Sequence, residues 1–275
     1  MDNSLSSRPI IAGRCSVCLK RQPLTQDHIF PQCISVPGQK RISDLLTALA
    51  ISDKKSSRTH LAQNGLKKKT VCADCNNRIL GTEYDPALKI FCDQVAVSLR
   101  NLVYYFGNRV EVKEIQLNKV MRSVVGHILA SDDYPSFKGK YFKALRRYLL
   151  DPTAMFPEDL RAYVWLYPGR DQAVLKNMMI HRMSFPEPMW VNVYRTYPVG
   201  FAICSDIQHQ LYKGMLEFSD KLTAEITQCF SLRFPSKVYV PLAWPETPAA
   251  DGMVFMGRNS GQVATPYKKT KPYPY

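Results

Sequence analysis

Apolar residues recur every three to four positions through residues 86–106, at Leu88, Phe91, Val95, Leu99, Leu102, Val103 and Phe106. This spacing predicts a helix with one stripe turned to a core. A second helix is predicted over residues 119–130, with Val120, Val124 and Ile128 on one stripe and Asn118 as its cap. His127 lies beside that stripe and reads as buried or surface filler rather than as a ligand. A third helix covers residues 141–150, with Arg146 and Arg147 on an exposed face. After Pro157 the pattern changes. Tyr163-Val164-Trp165-Leu166-Tyr167, Met178-Met179-Ile180, Trp190-Val191-Asn192-Val193-Tyr194 and Gly200-Phe201-Ala202-Ile203 are rich in β-branched and aromatic residues between Pro and Gly turns. They predict an antiparallel sheet. Helices followed by strands place residues 87–244 in an α+β domain. Residues 245–275 carry Pro245, Pro248, Pro266, Pro272 and Pro274 with little apolar periodicity, which predicts a surface arm or tail.

The first third of the chain has weaker periodicity and a different chemistry. Four of its cysteines form two pairs, Cys15-Ser16-Val17-Cys18 and Cys72-Ala73-Asp74-Cys75. Tetrahedral zinc accepts four thiolates at about 2.3 Å, each Cys-x-x-Cys approaching as a short knuckle, so a structural Zn²⁺ site is predicted from all four. A redox dithiol is the competing reading of either pair alone. Between the pairs lie 53 residues, where a simple zinc ribbon needs about 15–20. That insertion opens with an extended run, Leu24-Thr25-Gln26-Asp27-His28-Ile29-Phe30-Pro31, in which an acid adjoins a histidine. Residues 35–66 follow as a long connection of weak periodicity that contains Lys54, Lys55, Arg58 and His60 and could close over DNA.

The order Cys-x-x-Cys, then Asp-His-Ile-x-Pro, then Cys-x-x-Cys-Asn resembles the HNH endonucleases, over residues 13–86. The resemblance implies an N-terminal ββα-metal module, residues 1–86, with a four-cysteine zinc knuckle at its base. It also implies roles: His28 as general base toward water, and Asp27 with Asn76 as ligands of a catalytic divalent ion, Mg²⁺ or Mn²⁺. Asn76 stands where many members carry a histidine, and Asn77 is its neighbouring substitute. The middle asparagine of the family pattern falls at Lys67 here, so Asn64 is the nearest candidate, with a structural role in bridging the loop backbone. Successive side chains of a strand point to opposite faces, so Asp27 and His28 can serve one groove only if a bend or bulge interrupts the strand.

Charge adds a partner to this picture. The chain has 37 Lys plus Arg against 23 Asp plus Glu, a net charge of +14, which calls for counterions or a polyanion. Residues 1–90 hold 14 basic and 7 acidic side chains, about twice the density of positive excess found in the rest. Lys67, Lys68, Lys69 and Arg78 are therefore candidates for contact with nucleic acid, as are Lys268, Lys269 and Lys271 at the tail; a solvated charge run is the alternative. DNA is the expected partner, with RNA left open, and residues 87–244 could carry an oligomer or protein contact. No stretch reaches the roughly 18 apolar residues of a membrane span, and residues 1–9 lack the apolar core of a signal peptide. A cytoplasmic location is expected. Three functions remain: a DNA endonuclease, a zinc-ribbon nucleic-acid-binding protein without catalysis, and an RNA-directed nuclease. Residues 1–86 are expected to hold all the chemistry, with the remainder positioning it.

Overall fold

The computed structural model of the chain describes residues 12–35, 37–49, 59–104, 109–132, 139–183, 187–205, 214–235, 242–246, 252–255, 257 and 260–267. Lys54, Lys55, Arg58, Lys268, Lys269 and Lys271 lie outside them. The fold is α+β with mostly antiparallel sheets and, among the described residues, four α-helices. None of these helices is long and apolar enough to cross a membrane.

Three short segments at the start of the chain form one small sheet. Strands β1 (Ala12–Arg14), β2 (Arg21–His28) and β5 (Lys67–Cys72) lie in the order β1-β2-β5. From the end of β5 the chain runs directly into a helix. Residues Asp74–Tyr84 are wound as a π-helix, which becomes α-helix α2 (Asp85–Tyr104) where the Asp85 N–H still reaches back to the Leu80 carbonyl. Of the apolar stripe read from the sequence, Leu88, Phe91 and Val95 are buried and Leu99 is half-buried, while Phe106 and the side chains of Leu102 and Val103 lie outside the described residues.

The stretch 35–66 is not a free connection. It contains β3 (Gln39–Asp44), the single-turn helix α1 (Leu45–Ala48) and β4 (Thr59–Gln63), and β3 and β4 pair with each other. Their alternating polar residues gave no strand signal, because the partner that completes β3 comes from the opposite end of the chain. That partner is β14 (Gly261–Pro266), whose Pro266 opposes Lys40. The expectation of a tail is corrected here for residues 252–255 and 261–266. Strands β13 (Gly252–Phe255) and β14 both pair with β8 (Gln172–Arg182), and β14 lies between β8 and β3. Prolines at the ends of such a segment stop a strand without preventing one.

The strands predicted after Pro157 are present as β7 (Arg161–Leu166), β8, β9 (Met189–Thr196) and β10 (Val199–Cys204). With β11 (Leu216–Glu217) they complete the main sheet, ordered β11-β7-β10-β9-β8-β14-β3-β4 with β13 also on β8. Alternation along β7 serves two cores. Val164 and Leu166 face one, Tyr163 and Trp165 the other. Away from this sheet, β6 (Arg109–Ile115) pairs with β12 (Phe230–Pro235).

Helices α3 (Leu117–Ala130) and α4 (Lys140–Leu150) cover the sheet on the side of the first core. Asn118 does not cap α3. It is buried in the first turn, donates to the Thr223 and Glu225 carbonyls and accepts from the Tyr148 hydroxyl. Arg146 is not on an exposed face either: it is 7% exposed and its Nε donates to the Ser16 carbonyl at 3.0 Å. Packing crosses residue 86 without interruption. One apolar cluster runs from Cys15 and Ile29 through Leu80, Phe91 and Val124 to Tyr194 and Ala264. Polar links accompany it, from Ser16 Oγ to the Asp132 carbonyl at 2.8 Å, from Thr70 Oγ1 to the Ala130 carbonyl, and from Tyr194 OH to the Ile29 carbonyl at 3.1 Å.

Candidate functional site

The four paired cysteines meet. Their sulfur atoms lie within 4.8 Å of one another, with Cys18 Sγ and Cys72 Sγ 3.9 Å apart. A tetrahedron with metal–sulfur bonds of about 2.3 Å has edges of about 3.8 Å, so the donor set fits zinc. The backbone is shaped for it. The Cys15 N–H bonds to the Lys20 carbonyl, the Leu19 N–H returns to the Cys15 carbonyl, and Leu19 takes a left-handed φ of 62° to close this knuckle. The Cys72 N–H points to Cys15 Sγ at 3.4 Å and the Cys75 N–H to Cys72 Sγ at 3.5 Å. Gln22 Nε2 approaches Cys18 Sγ at 3.5 Å. The sulfurs do not share charge equally. The Cys75 thiol holds Cys15 down to about 4 against the opposing effect of burial. The bond to Cys15 pushes Cys75 up, and burial pushes Cys18 up. A dication that takes all four as thiolates therefore displaces further protons on binding. No disulfide joins these cysteines.

Above this cluster stand the polar residues of β2. Leu24 opposes Cys72 and Thr25 opposes Val71, but Asp27 opposes Lys68 and His28 opposes Lys67, so β5 carries one extra residue across from Gln26. The irregularity expected at Asp27-His28 thus lies on the partner strand, at Lys69 and Thr70. The ladder is thus interrupted just before Asp27, and the two side chains have different surroundings. Asp27 is 7% exposed, with Oδ2 turned to His127 Nδ1 at 3.6 Å. His28 is half-buried. Gln32 Nε2 donates to His28 Nε2 at 3.2 Å, which places the imidazole proton on Nδ1. Burial lowers the His28 pKa from its ordinary value, the Lys67 cation lowers it further, and Asp27 only partly opposes them.

Asn76 reaches this strand from the first turn of the π-helix. Its Nδ2 donates to Thr25 Oγ1 at 3.0 Å and to the Gln26 carbonyl at 3.4 Å, leaving Oδ1 as an acceptor. Asn77 is exposed, and its carbonyl accepts from Thr82 Oγ1. Asn64 sits at the β3–β4 end with φ 61°, where its N–H meets the Gly38 carbonyl and its Oδ1 accepts from the Gly38 N–H at 3.4 Å. It is tied to the turn. Among the basic candidates, Lys69 is exposed, Lys67 is half-buried and Lys68 is buried. Arg78 makes a two-pronged ion pair with Asp74 at 2.6 and 2.9 Å.

One residue that the sequence pattern passed over lies at the centre. His127 on α3 is 1% exposed, and its Nε2 meets Asp85 Oδ1 at 3.1 Å while Nδ1 faces Asp27. Ser123 Oγ donates to the same Asp85 oxygen at 2.7 Å. Burial alone would push His127 down, but Asp85 and then Asp27 outweigh it and raise the imidazole to about 10. Burial likewise works to raise Asp85, and His127 with Ser123 more than offsets it, so that carboxyl is lowered. A serine and a histidine four apart in an otherwise apolar stripe were the available signal, since buried polar groups on one helix face require partners.

No family model, no curated protein and no solved structure matches the chain.

Proposed function

We propose that this protein is a metal-dependent endonuclease of the HNH type that hydrolyses phosphodiester bonds of DNA, with β2, β5 and the helix after Cys75 as its ββα-metal module. The observation that carries this reading is the bond from Asn76 to the carbonyl just before Asp27-His28, which joins residues 50 positions apart above a cysteine cluster shaped for zinc. His28 acts as general base. Its depressed pKa keeps it neutral near pH 7, and the Nε2 lone pair becomes available to water when the exposed Gln32 amide gives way. The water oxygen then bonds to phosphorus as its proton passes to His28, and the bond to the departing sugar oxygen breaks. Asp27 and Asn76 Oδ1 are hard oxygen donors suited to Mg²⁺ or Mn²⁺. When bound, that ion neutralises charge on the phosphate and the departing oxygen. Lys67, Lys69 and the basic excess of the first third attract the phosphate backbone.

One observation favours a second reading, a nucleic-acid-binding protein without catalysis: Asp27 is nearly buried and faces His127. Incubating zinc-loaded protein with plasmid DNA, linear DNA and RNA under Mg²⁺, Mn²⁺ or EDTA separates them. Cleavage of DNA that requires the added ion, and that His28→Ala abolishes while DNA binding and fold persist, is the expected result. Binding without cleavage under every ion selects the second reading, and cleavage undiminished by His28→Ala removes His28 from the chemistry.

A further inference from the structure

Resting on the reading of Asp27 as a metal-holding carboxylate, we propose that His127 is a positioning residue for that carboxylate, supplied by α3 from outside the zinc-bound strands. Asp27 Oδ2 and His127 Nδ1 are both buried, and neither has a hydrogen-bond partner among the described residues. A buried carboxylate oxygen left without a partner costs free energy unless something compensates it. These two atoms face each other at 3.6 Å, so each is the other's compensation.

The far side of the imidazole is fixed more tightly. His127 Nε2 lies 3.1 Å from Asp85 Oδ1, and Ser123 Oγ lies 2.7 Å from the same oxygen. Asp85 begins α2, Ser123 and His127 belong to α3, and Asp27 is the penultimate residue of β2, so the row ties three elements together. Tyr194 of β9 adds a fourth, stacking on the His127 ring with centroids 6.2 Å apart and donating to the carbonyl of Ile29. The contact between Asp27 and His127 is longer than a hydrogen bond, whereas the contacts behind it are of hydrogen-bond length. This is the arrangement of an oriented outer partner, set by its own carboxylate and aimed at a ligand whose other oxygen does the holding.

The test uses full-length zinc-loaded protein and Mn²⁺ as the probe, with free Mn²⁺ read by electron paramagnetic resonance. Wild type should bind Mn²⁺. His127→Gln should keep its zinc and weaken Mn²⁺ binding by about 10–100-fold, the range found when an outer-shell partner is lost. Ser123→Ala, which leaves the imidazole in place, should weaken binding in the same direction by less. A variant set that melts at lower temperature yet binds Mn²⁺ as tightly as wild type makes the row a structural network and overturns the inference alone. Should His127→Gln fail to fold, Asp85→Asn and Ser123→Ala decide by the same measurement. A wild type that binds no Mn²⁺ removes the metal-holding role of Asp27 itself, and the inference falls with it.

Discussion

At the scale of single residues, the base role proposed for His28 depends on its neighbours. Lys67 stands directly across the strand pair from His28, and its charge is the second cause, after burial, that lowers the imidazole pKa. A base with a lowered pKa stays deprotonated to lower pH, so the acid limb of the cleavage profile should fall below the ordinary histidine value of about 6.5. Replacing Lys67 by Met removes the cation and leaves the burial. The acid limb of Lys67→Met should therefore move upward toward that ordinary value, read from cleavage rates across pH at saturating Mg²⁺. An acid limb that stays in place assigns the limb to another group. Asp27 shows the complementary case: its neighbour in sequence is half-exposed, while it is buried against His127 of α3.

Elements are held together by two different means. At the base of the small sheet the four cysteines join the β1–β2 turn to the start of the helix. Ligand binding there is folding free energy, because the unfolded chain has no preformed site. Cys75→Ser should lower zinc below one equivalent per chain and reduce the melting temperature, measured by metal analysis and circular dichroism. A full equivalent of tightly held zinc in that variant would contradict the assignment. Higher up, helix packing takes over. A methyl group added at Gly126 of α3 would come within 2.2 Å of Leu80 Cδ2, from a side chain with no exposed surface. Overpacking of this kind costs about 1–3 kcal/mol, so Gly126→Ala should lower unfolding free energy by that amount in denaturant titrations. Combined with Leu80→Ala, the loss should be smaller than the sum of the two single losses, because each change makes room for the other.

For the whole molecule, the boundary read at residue 86 has no counterpart in the packing. Ile29, Leu80 and Tyr84 are buried in a cluster completed by α2, α3, α4 and β9. The hydroxyls of Ser16 and Thr70 bond to carbonyls at the end of α3, and Tyr84 OH bonds to the Leu149 carbonyl. A fragment ending at residue 86 would expose these apolar side chains and leave these groups to water. It should bind zinc through its cysteines but show no cooperative thermal transition and little amide protection outside the knuckle. A sharp melting transition for the fragment would establish residues 1–86 as a self-sufficient unit.

What the sequence determined by itself is local. Two Cys-x-x-Cys pairs announce a four-thiol cluster because both ligands of each pair sit on one short turn, whatever the chain does between them. Helices α2, α3 and α4 and strands β7 to β10 were legible because burial repeats with the period of the element that carries it. Tertiary structure decided what depends on partners far away in the chain. Strand β3 exists through β14, more than 200 residues later, and neither has an apolar pattern strong enough to declare it alone. Residues 252–255 and 261–266 become strands because β8 offers a free edge, despite prolines nearby. His127 and Asp85 sit within helices whose stripes predict them, yet their meeting with Asp27 follows from α3 crossing the small sheet. Periodicity reports which face of an element is buried; it carries no record of which element will cover that face, and at this site the covering element brings the charge.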